Sequence, residues 1–380
     1  DYWSAGGGVT ALAPGREATK ASQRFHPELA SAAVEHLGWR RLVFEMRVRL
    51  SKRSGWDTIL RRNALFQRVM IRRLDRRKDE LRRAAPGIFF SYSYAALDLI
   101  RWFREIGWHT ALGQIDPGIH EEDTVAAELA RHPGLATDWT RAPARYWQLW
   151  REECALSDII LVNSEWSREA LVSSGIEAGK IDIIPLAFEQ SASTNDRVPP
   201  PDRFTRERPL RVLFLGQLTV RKGVHLALGA ARKMRGEHVR WNFVGPADMD
   251  LPADLRGFPN VLWSGPVSRE ATAQLYREAD LFILPTLSDG FALTQLEAQA
   301  RGLPILASKF CGDVVRDGVN GLIIDPLSSD AIVERLRRVL DDPRLLARMI
   351  RASAVDARFS LETLARNLEQ VESRLIQARP

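Results

Sequence analysis

The chain has 380 residues, 45% of them apolar and 27% charged, which is ordinary globular usage for two or three domains and excludes a disordered or low-complexity protein. Its two cysteines, Cys154 and Cys311, stand far apart with no partner motif, which excludes a disulfide scaffold or cysteine-rich zinc site and fits a reducing compartment. The net charge is +6, and apolar runs such as Asp158-IILV-Asn163 fall well short of the roughly 20 residues that a membrane-spanning helix needs.

The opening Asp1-Tyr2-Trp3 has no strand before it. Gly6-Gly7-Gly8 lacks the preceding strand and following helix that a dinucleotide-binding turn requires. One strand–helix unit is therefore expected to be missing from the start of the first domain. The charge is concentrated next: Arg40 to Arg83 holds 16 basic and 5 acidic residues, a local +11 against −5 in the rest of the chain. Apolar residues from Leu60 through Phe66 and Met70 to Leu81 are roughly helix-spaced, which predicts an amphipathic helix over 58–83 with an arginine-rich outer face. The simplest reading of that face is a solvated helix surface. The functional reading is attraction to an anionic membrane surface or acceptor. No RNP-like, zinc-finger or helix-turn-helix pattern is present, so no nucleic-acid partner is expected.

Short β-rich runs then alternate with helical stretches, which predicts an α/β protein with parallel sheets. Strands are expected at 88–94, 108–114, 158–163 and 181–185, with helices over 95–106 and 167–174 among them. The polar, proline-rich stretch 191–203 reads as an interdomain linker. The second half restarts with a strand at 210–216 and a helix over 223–234. Strands at 240–245 and 260–264, a helix over 269–279 and a strand at 280–285 follow. A helix from about 291 to 300, strands at 304–308 and 321–326 and a helix over 331–340 complete it. Two α/β halves of this kind enclose a cleft at the strand C-termini, the usual place for a ligand.

Two loops of the second half carry chemistry. In Gly216-Gln217-Leu218-Thr219-Val220-Arg221-Lys222-Gly223 a strand ends at glycine, two cations follow and a second glycine opens a helix. Helix-start amides with Arg221 and Lys222 would bind phosphate oxygens. In Pro285-TLSDGFALTQL-Glu297, Gly290 permits a sharp turn before a helix, and the free amides of its first turn form a second anion site. Asp289 and Glu297 lie eight residues apart and suit hydroxyl pairs of a sugar or ribose. An Asp before Gly is more often a turn residue, and a lone helical Glu is more often solvated. No metal-ligand spacing is visible among the seven histidines.

The order and spacing of RKG, DGFALTQLEAQARGLPILAS and VVRDGVNGLIIDP resemble the donor domain of the retaining glycosyltransferases of family 4, which have the two-domain GT-B fold. Ala155-LSDIILVNSEWSREAL-Val172 and Lys180-IDIIPLAFE-Gln190 resemble the last strands of that family's acceptor domain. Arg358-FSLETLARNLEQVESRL-Ile376 resembles the helix that crosses back to it. The likeness is good over 155–376 and thinner before. It implies two Rossmann-like α/β/α domains facing across a cleft: 1–190 on the acceptor side, 206–357 for the donor, and a crossing helix in 358–380.

The resemblance implies that Lys222, with Arg221, neutralises the donor diphosphate. It places Asp289 where the family usually has the first Glu of an E-x7-E pair, against the transferred sugar, and Glu297 as the second, on the nucleotide ribose. Gly216 and Gln217, and the amides of Gly290, Phe291, Ala292 and Leu293, complete the donor contacts. Gln217 stands where the family often has an arginine, and Asp289 is one methylene short. The family also implies a nucleoside-diphosphate sugar as donor and no bound cofactor or essential metal. The acceptor would be a glycan, a lipid-linked or a small hydroxyl compound. The expected location is cytoplasmic, with the basic segment 40–83 offering peripheral attachment at the inner face of the membrane.

On the acceptor side, the loop after the second strand offers Gln114, Asp116 and His120, and Tyr92 and Ser93 end the first strand. Pro117-Gly118 also makes that loop an ordinary turn with Asp116 as its initiator. Competing functions are a non-transferring enzyme of the same fold, such as an epimerase or phosphorylase, and a catalytically degenerate binder of sugar nucleotides or glycans.

Overall fold

A computed structural model describes residues 43–44, 46–48, 55–135, 137–189, 197 and 199–377. The expected missing strand–helix unit, the Gly6–Gly8 turn, most of 40–54 and most of the 191–203 linker lie outside the described residues. The chain separates into two compact units, Asp1–Leu81 and Arg82–Pro380.

In the first unit, α1 (Trp56–Leu74) exposes Arg61, Arg62, Arg68 and Arg72 and buries Thr58, Gln67 and Val69. The single helix expected over 58–83 is divided: a 3-10 turn at Asp75–Arg77 separates α1 from α2 (Lys78–Arg83), which runs across the unit boundary. Neither proline nor glycine stands at the break. The backbone tightens there, with the Asp75 amide donating to the carbonyls of Ile71 and Arg73.

The second unit holds two parallel sheets. The first is built from β1 (Ile88–Tyr92), α3 (Leu97–Glu105), β2 (His109–Gly113), α4 (Ile119–Arg131), α5 (Ala144–Leu156), β3 (Ile159–Val162), α6 (Glu165–Ser173) and β4 (Ile181–Ile183), with strand order β1-β2-β3-β4. Burial of every residue in β3 is why that strand reads as a continuous apolar run, whereas β2, also buried throughout, carries His109 and Thr110 at its start. Register pairs Ile88 with His109, Ala111 with Ile159 and Ile160 with Ile181. α6 starts at Ser164, whose side chain accepts the Ser167 amide as an N-cap.

The second sheet comprises β5 (Leu210–Leu215), α7 (Val224–Lys233), β6 (Val239–Val244), β7 (Val261–Ser264), α8 (Arg269–Glu278), β8 (Leu281–Leu284), α9 (Leu293–Gln299), β9 (Ile305–Ala307) and β10 (Gly321–Ile323). Its order is β10-β9-β8-β5-β6-β7. The chain builds outward from β5 in one direction, then returns to β8 and builds in the other. That reversal opens a crevice beyond the C-terminal ends of β5 and β8, and the two loops singled out in the sequence leave from those ends. The helix expected from about Phe291 starts only at Leu293, because the Ala292 backbone is still extended.

Asp280 ties the starts of β5 and β8 together. It accepts two bonds from the Arg208 guanidinium at 2.7 Å each and the Arg211 amide at 2.9 Å. Burial works to raise its carboxyl, but these partners hold it below the usual carboxylate range. After α10 (Ser329–Asp341) and α11 (Pro343–Ala352), α12 (Leu361–Gln377) returns to the first sheet. There Val371 and Leu375 pack with Ala111, Ile159, Leu161 and Ile184, and Arg374 pairs with Asp182. No helix among the described residues is long and apolar enough to cross a membrane.

Candidate donor site

The loop after β5 is held by its glycines. Gly223 has φ 68°, and a Cβ there would lie 1.7 Å from the Pro285 carbonyl oxygen, so only glycine lets the β5 and β8 loops approach this closely. The Leu287 amide and the Thr286 hydroxyl both donate to the Arg221 carbonyl, at 2.8 and 3.1 Å. The Arg221 guanidinium reaches the Ser288 carbonyl at 3.3 Å. Arg221 is thereby fixed between the two loops.

Lys222 forms an ion pair with Asp289, and Arg221 lies 3.8 Å from the same carboxylate. Arg221 also faces Glu121, at 3.5 Å, from the first turn of α4. Burial pushes the Glu121 carboxyl up to about 7, aided by the negative charges of Asp116 and Asp289 and opposed chiefly by Arg221. The guanidinium of Arg221 is raised in turn: burial disfavours its charge, but Glu121, Asp289 and Asp116 outweigh that. Two cations and three carboxylates share this crevice.

The anion site differs from the expectation in one respect. The amides of Lys222, Gly223 and Val224 already have partners inside their own loop. Lys222 donates to the Thr219 hydroxyl at 3.2 Å, Gly223 to the Val220 carbonyl at 2.8 Å and Val224 to the Thr219 carbonyl at 3.4 Å. Full positive charge at this loop comes from the Arg221 and Lys222 side chains. In the second loop the Ala292 amide donates to the Cys311 carbonyl at 3.1 Å, which removes it from the expected set and leaves Gly290, Phe291 and Leu293. The Phe291 ring is buried, edge-on to Phe359 at 5.5 Å, so only its backbone faces the loop.

Glu297 lies on α9, and its carboxylate accepts from the buried Tyr276 hydroxyl at 2.9 Å. Tyr276 was not singled out in the sequence. It fixes which way Glu297 points, and burial beside that carboxylate raises its phenol well above the ordinary range. Gly216 donates its amide to the Val244 carbonyl at 3.0 Å, and Gln217 is exposed.

The first half of the unit meets these loops directly. A Cβ on Gly290 would lie 2.0 Å from the Ile115 carbonyl oxygen. The Gly290 carbonyl accepts from the Ser164 hydroxyl at 2.7 Å and the Ser167 hydroxyl at 3.3 Å. Trp166 Nε1 donates to Ser288 Oγ at 3.3 Å.

The 114–118 loop is built rather than open. Gln114 is buried; its amide nitrogen donates to the Tyr94 hydroxyl at 2.8 Å and to the Asp116 carboxylate at 2.7 Å, while its oxygen accepts from Trp150 Nε1 at 2.9 Å. Asp116 also accepts from the Tyr94 hydroxyl and from the Gly118 amide at 2.9 Å. Burial raises the Asp116 carboxyl against all three of these bonds. Tyr94 has φ 78°, alone among non-glycine described residues, and the Glu153 carboxylate holds its amide at 2.6 Å. Gln114 thus orients Asp116, and its own hydrogen-bonding groups are occupied.

His120 belongs to the first turn of α4, not to the loop. Gly118 (φ 63°) starts that helix directly after Pro117, and its Cβ position is filled by Trp150. His120 Nδ1 lies 3.0 Å from Ser173 Oγ, with its ring edge-on to Trp166 at 5.2 Å. Tyr92 is exposed at the end of β1, whereas Ser93 is buried.

Residues 200–355 match the family described as glycosyl transferases group 1. D-inositol 3-phosphate glycosyltransferase of Nocardia farcinica is 28% identical over 289 residues, 70% of this chain and 62% of that protein. An uncharacterised glycosyltransferase of Methanocaldococcus jannaschii, MJ1607, is 26% identical over 236 residues, 57% of this chain and 59% of that protein. The chain thus spans about three fifths of the length of these curated relatives. Among solved structures, the catalytic domain of starch synthase IV from Arabidopsis thaliana bound to ADP and acarbose superposes with a TM-score of 0.60 at 14% identity, over 85% of this chain and 79% of that one. With its paired parallel sheets the chain has a GT-B fold, and the match to glycosyl transferases group 1 falls on residues 200–355, the half built on the second sheet.

Proposed function

We propose that the protein is a glycosyltransferase that moves a sugar from a nucleoside-diphosphate sugar to a hydroxyl acceptor with retention of anomeric configuration. The observation that carries this reading is the fixed pair Arg221 and Lys222 beside Asp289, in the crevice of the domain that matches the family. The two cations neutralise the departing diphosphate, Asp289 contacts the transferred sugar, and Glu297 holds the ribose in the orientation set by Tyr276. The backbones of Gly216, Gln217, Gly290, Phe291 and Leu293 line the donor.

In the transfer step the bond from the anomeric carbon to the diphosphate oxygen breaks. The acceptor oxygen bonds the same face of that carbon, and its proton passes to the departing phosphate. Negative charge builds on the diphosphate as the bond breaks, and prearranged cations out of bulk water stabilise it, typically by several kcal/mol. Because side chains supply that charge, the step needs no metal ion at the diphosphate.

On the acceptor side we assign Asp116, which lies against Gly290 and is held by Gln114, and His120 in the first turn of α4. The acceptor class is a glycan, a lipid-linked or a small hydroxyl compound. The assigned division is an acceptor-side domain in 1–190, a donor domain in 206–357 and the crossing helix in 358–380. The location in this reading is cytoplasmic, with peripheral attachment through the basic segment 40–83; the exposed arginines of α1 support the attachment. Co-sedimentation with vesicles tests that attachment: binding should rise with anionic lipid and fall with salt, and indifference to both removes it.

Titration with UDP-, GDP- and ADP-sugars, followed by nucleotide release, tests the activity. One sugar nucleotide should bind and be consumed slowly by water or an added acceptor, and Lys222→Ala should abolish both. Binding without turnover across acceptors of all three classes would instead favour a degenerate binder.

A further inference from the structure

A second cluster of ligating side chains lies apart from the donor crevice. Glu128 and His132 sit one helical turn apart at the end of α4, and His225 is in the first turn of α7. His225 Nε2 lies 2.8 Å and His132 Nε2 3.2 Å from the same oxygen, Glu128 Oε1. The two rings stand 5.4 Å apart, and one ligand atom from each residue falls within 4.8 Å of the other two. Among the described residues no other trio of His, Cys, Asp or Glu converges in this way. Glu128 and His225 are buried, whereas the His132 side chain is 46% exposed, which leaves an entry path.

We propose that Glu128, His132 and His225 form a binding site for a first-row divalent transition-metal ion, zinc in the first instance, that fastens α4 to α7. Two imidazoles and one carboxylate are a ligand set that suits zinc, with the fourth position left to water on the exposed His132 side. Ligand atoms about 2.0–2.1 Å from a tetrahedral ion stand about 3.3 Å from one another. The present separations therefore need only small adjustments. Both Nε2 atoms must be free of protons to bind, which moves any remaining ring proton to Nδ1.

Two features set the strength. The Arg131 guanidinium donates to Glu128 Oε2 at 2.7 Å and competes with a cation for that carboxylate. His225 Nδ1 is buried with no acceptor among the described residues, and loss of such an outer partner weakens metal sites by about 10–100-fold. Affinity on the order of micromolar is therefore expected, in place of the tighter binding of a fully supported site. The location gives the ion a consequence. α7 begins directly after Arg221-Lys222-Gly223, so the ion would steady the helix on which the donor loop rests.

The experiment uses the full chain, free of any tag and stripped with EDTA, titrated with zinc sulfate by calorimetry and with cobalt chloride by visible absorption. Saturable binding of one zinc, a tetrahedral cobalt spectrum and a raised melting temperature are expected. His132→Ala, at a half-exposed position that the fold tolerates, should weaken zinc binding at least about tenfold, as removal of one ligand requires. His238→Ala, at an exposed histidine outside the cluster, should leave it unchanged. His225→Gln should behave as His132→Ala if it folds. Absence of saturable zinc binding, or equal binding by wild type and His132→Ala, overturns the proposal and leaves the trio as hydrogen-bonded imidazoles. None of these readouts depends on sugar transfer.

Discussion

Glu121→Gln removes the carboxylate that burial pushes up to about 7, and its effect can be worked out from the pKa and geometry. In the unfolded chain this carboxyl titrates near 4.5. Between those values the folded protein keeps the proton that the unfolded chain has lost, so stability falls as pH rises, by about 1.4 kcal/mol per pH unit. The contribution is fully present below pH 4.5, and about 3 kcal/mol of it is gone above pH 7. The Glu121 side chain is 18% exposed, so little solvent screening reduces that figure. Glutamine mimics the protonated form and does not titrate. Urea unfolding of both proteins from pH 4.5 to 8 should therefore show the variant gaining on wild type by about 3 kcal/mol across the range. Parallel pH profiles would refute the assigned environment of Glu121. The same substitution removes one of the three carboxylate charges acting on Arg221 at pH 8, so nucleoside diphosphates should bind more tightly to the variant there. In wild type, donor binding at pH 8 should take up a proton, seen as a dependence of the binding enthalpy on the buffer.

Three further substitutions separate structure from function. Gly290→Ala puts a methyl group into the Ile115 carbonyl, so the 114–118 loop and the donor loop must part; sugar-nucleotide affinity should fall at least about tenfold while the melting temperature changes little, because the clash is relieved by movement between loops and not within a core. Asp280→Ala removes the buried carboxylate shared by two partly exposed guanidiniums, Arg208 and Arg211, and should cost about 1.5–3 kcal/mol in denaturant unfolding, the scale of lost hydrogen bonds to a charged group. Because the Asp280 carboxyl is held below its ordinary range, its stabilisation is present above that range and is lost as pH falls; the variant should lack this acid-induced loss. Tyr276→Phe deletes the hydroxyl that orients Glu297 and should weaken donor binding by about 1 kcal/mol, roughly fivefold. Unchanged affinity would detach Glu297 from the ribose.

Features that depend on local chain chemistry were legible in the sequence. β3 and β8 are buried on every residue, and such strands can hardly be spelled without continuous Ile, Leu, Val and Phe. Gly223 and Gly290 marked the loops correctly because each occupies a place where any Cβ would strike backbone. The parts that were not legible are long-range. Glu121 meets Arg221 across 100 residues, and Ser164 meets Gly290 across 126; neither sequence neighbourhood signals its partner.

Whether an amide at a helix start is free was also invisible. It depends on how a loop folds back, as when Thr219 takes the amides of Lys222 and Val224. α4 was hidden by Pro117-Gly118, which ends one loop and starts a helix within two residues. Tyr276 carried no signal as a site residue, because a buried tyrosine on a helix facing a core looks like packing until its hydroxyl partner is known.

The most direct test of the central claim is sugar release from a panel of UDP-, GDP- and ADP-sugars by wild type, Lys222→Ala and Glu297→Ala. The account predicts consumption of at least one donor by wild type, with a loss of at least about a hundredfold on removing Lys222, the scale of one prearranged charge at a departing group. Full activity in folded Lys222→Ala or Glu297→Ala would contradict it.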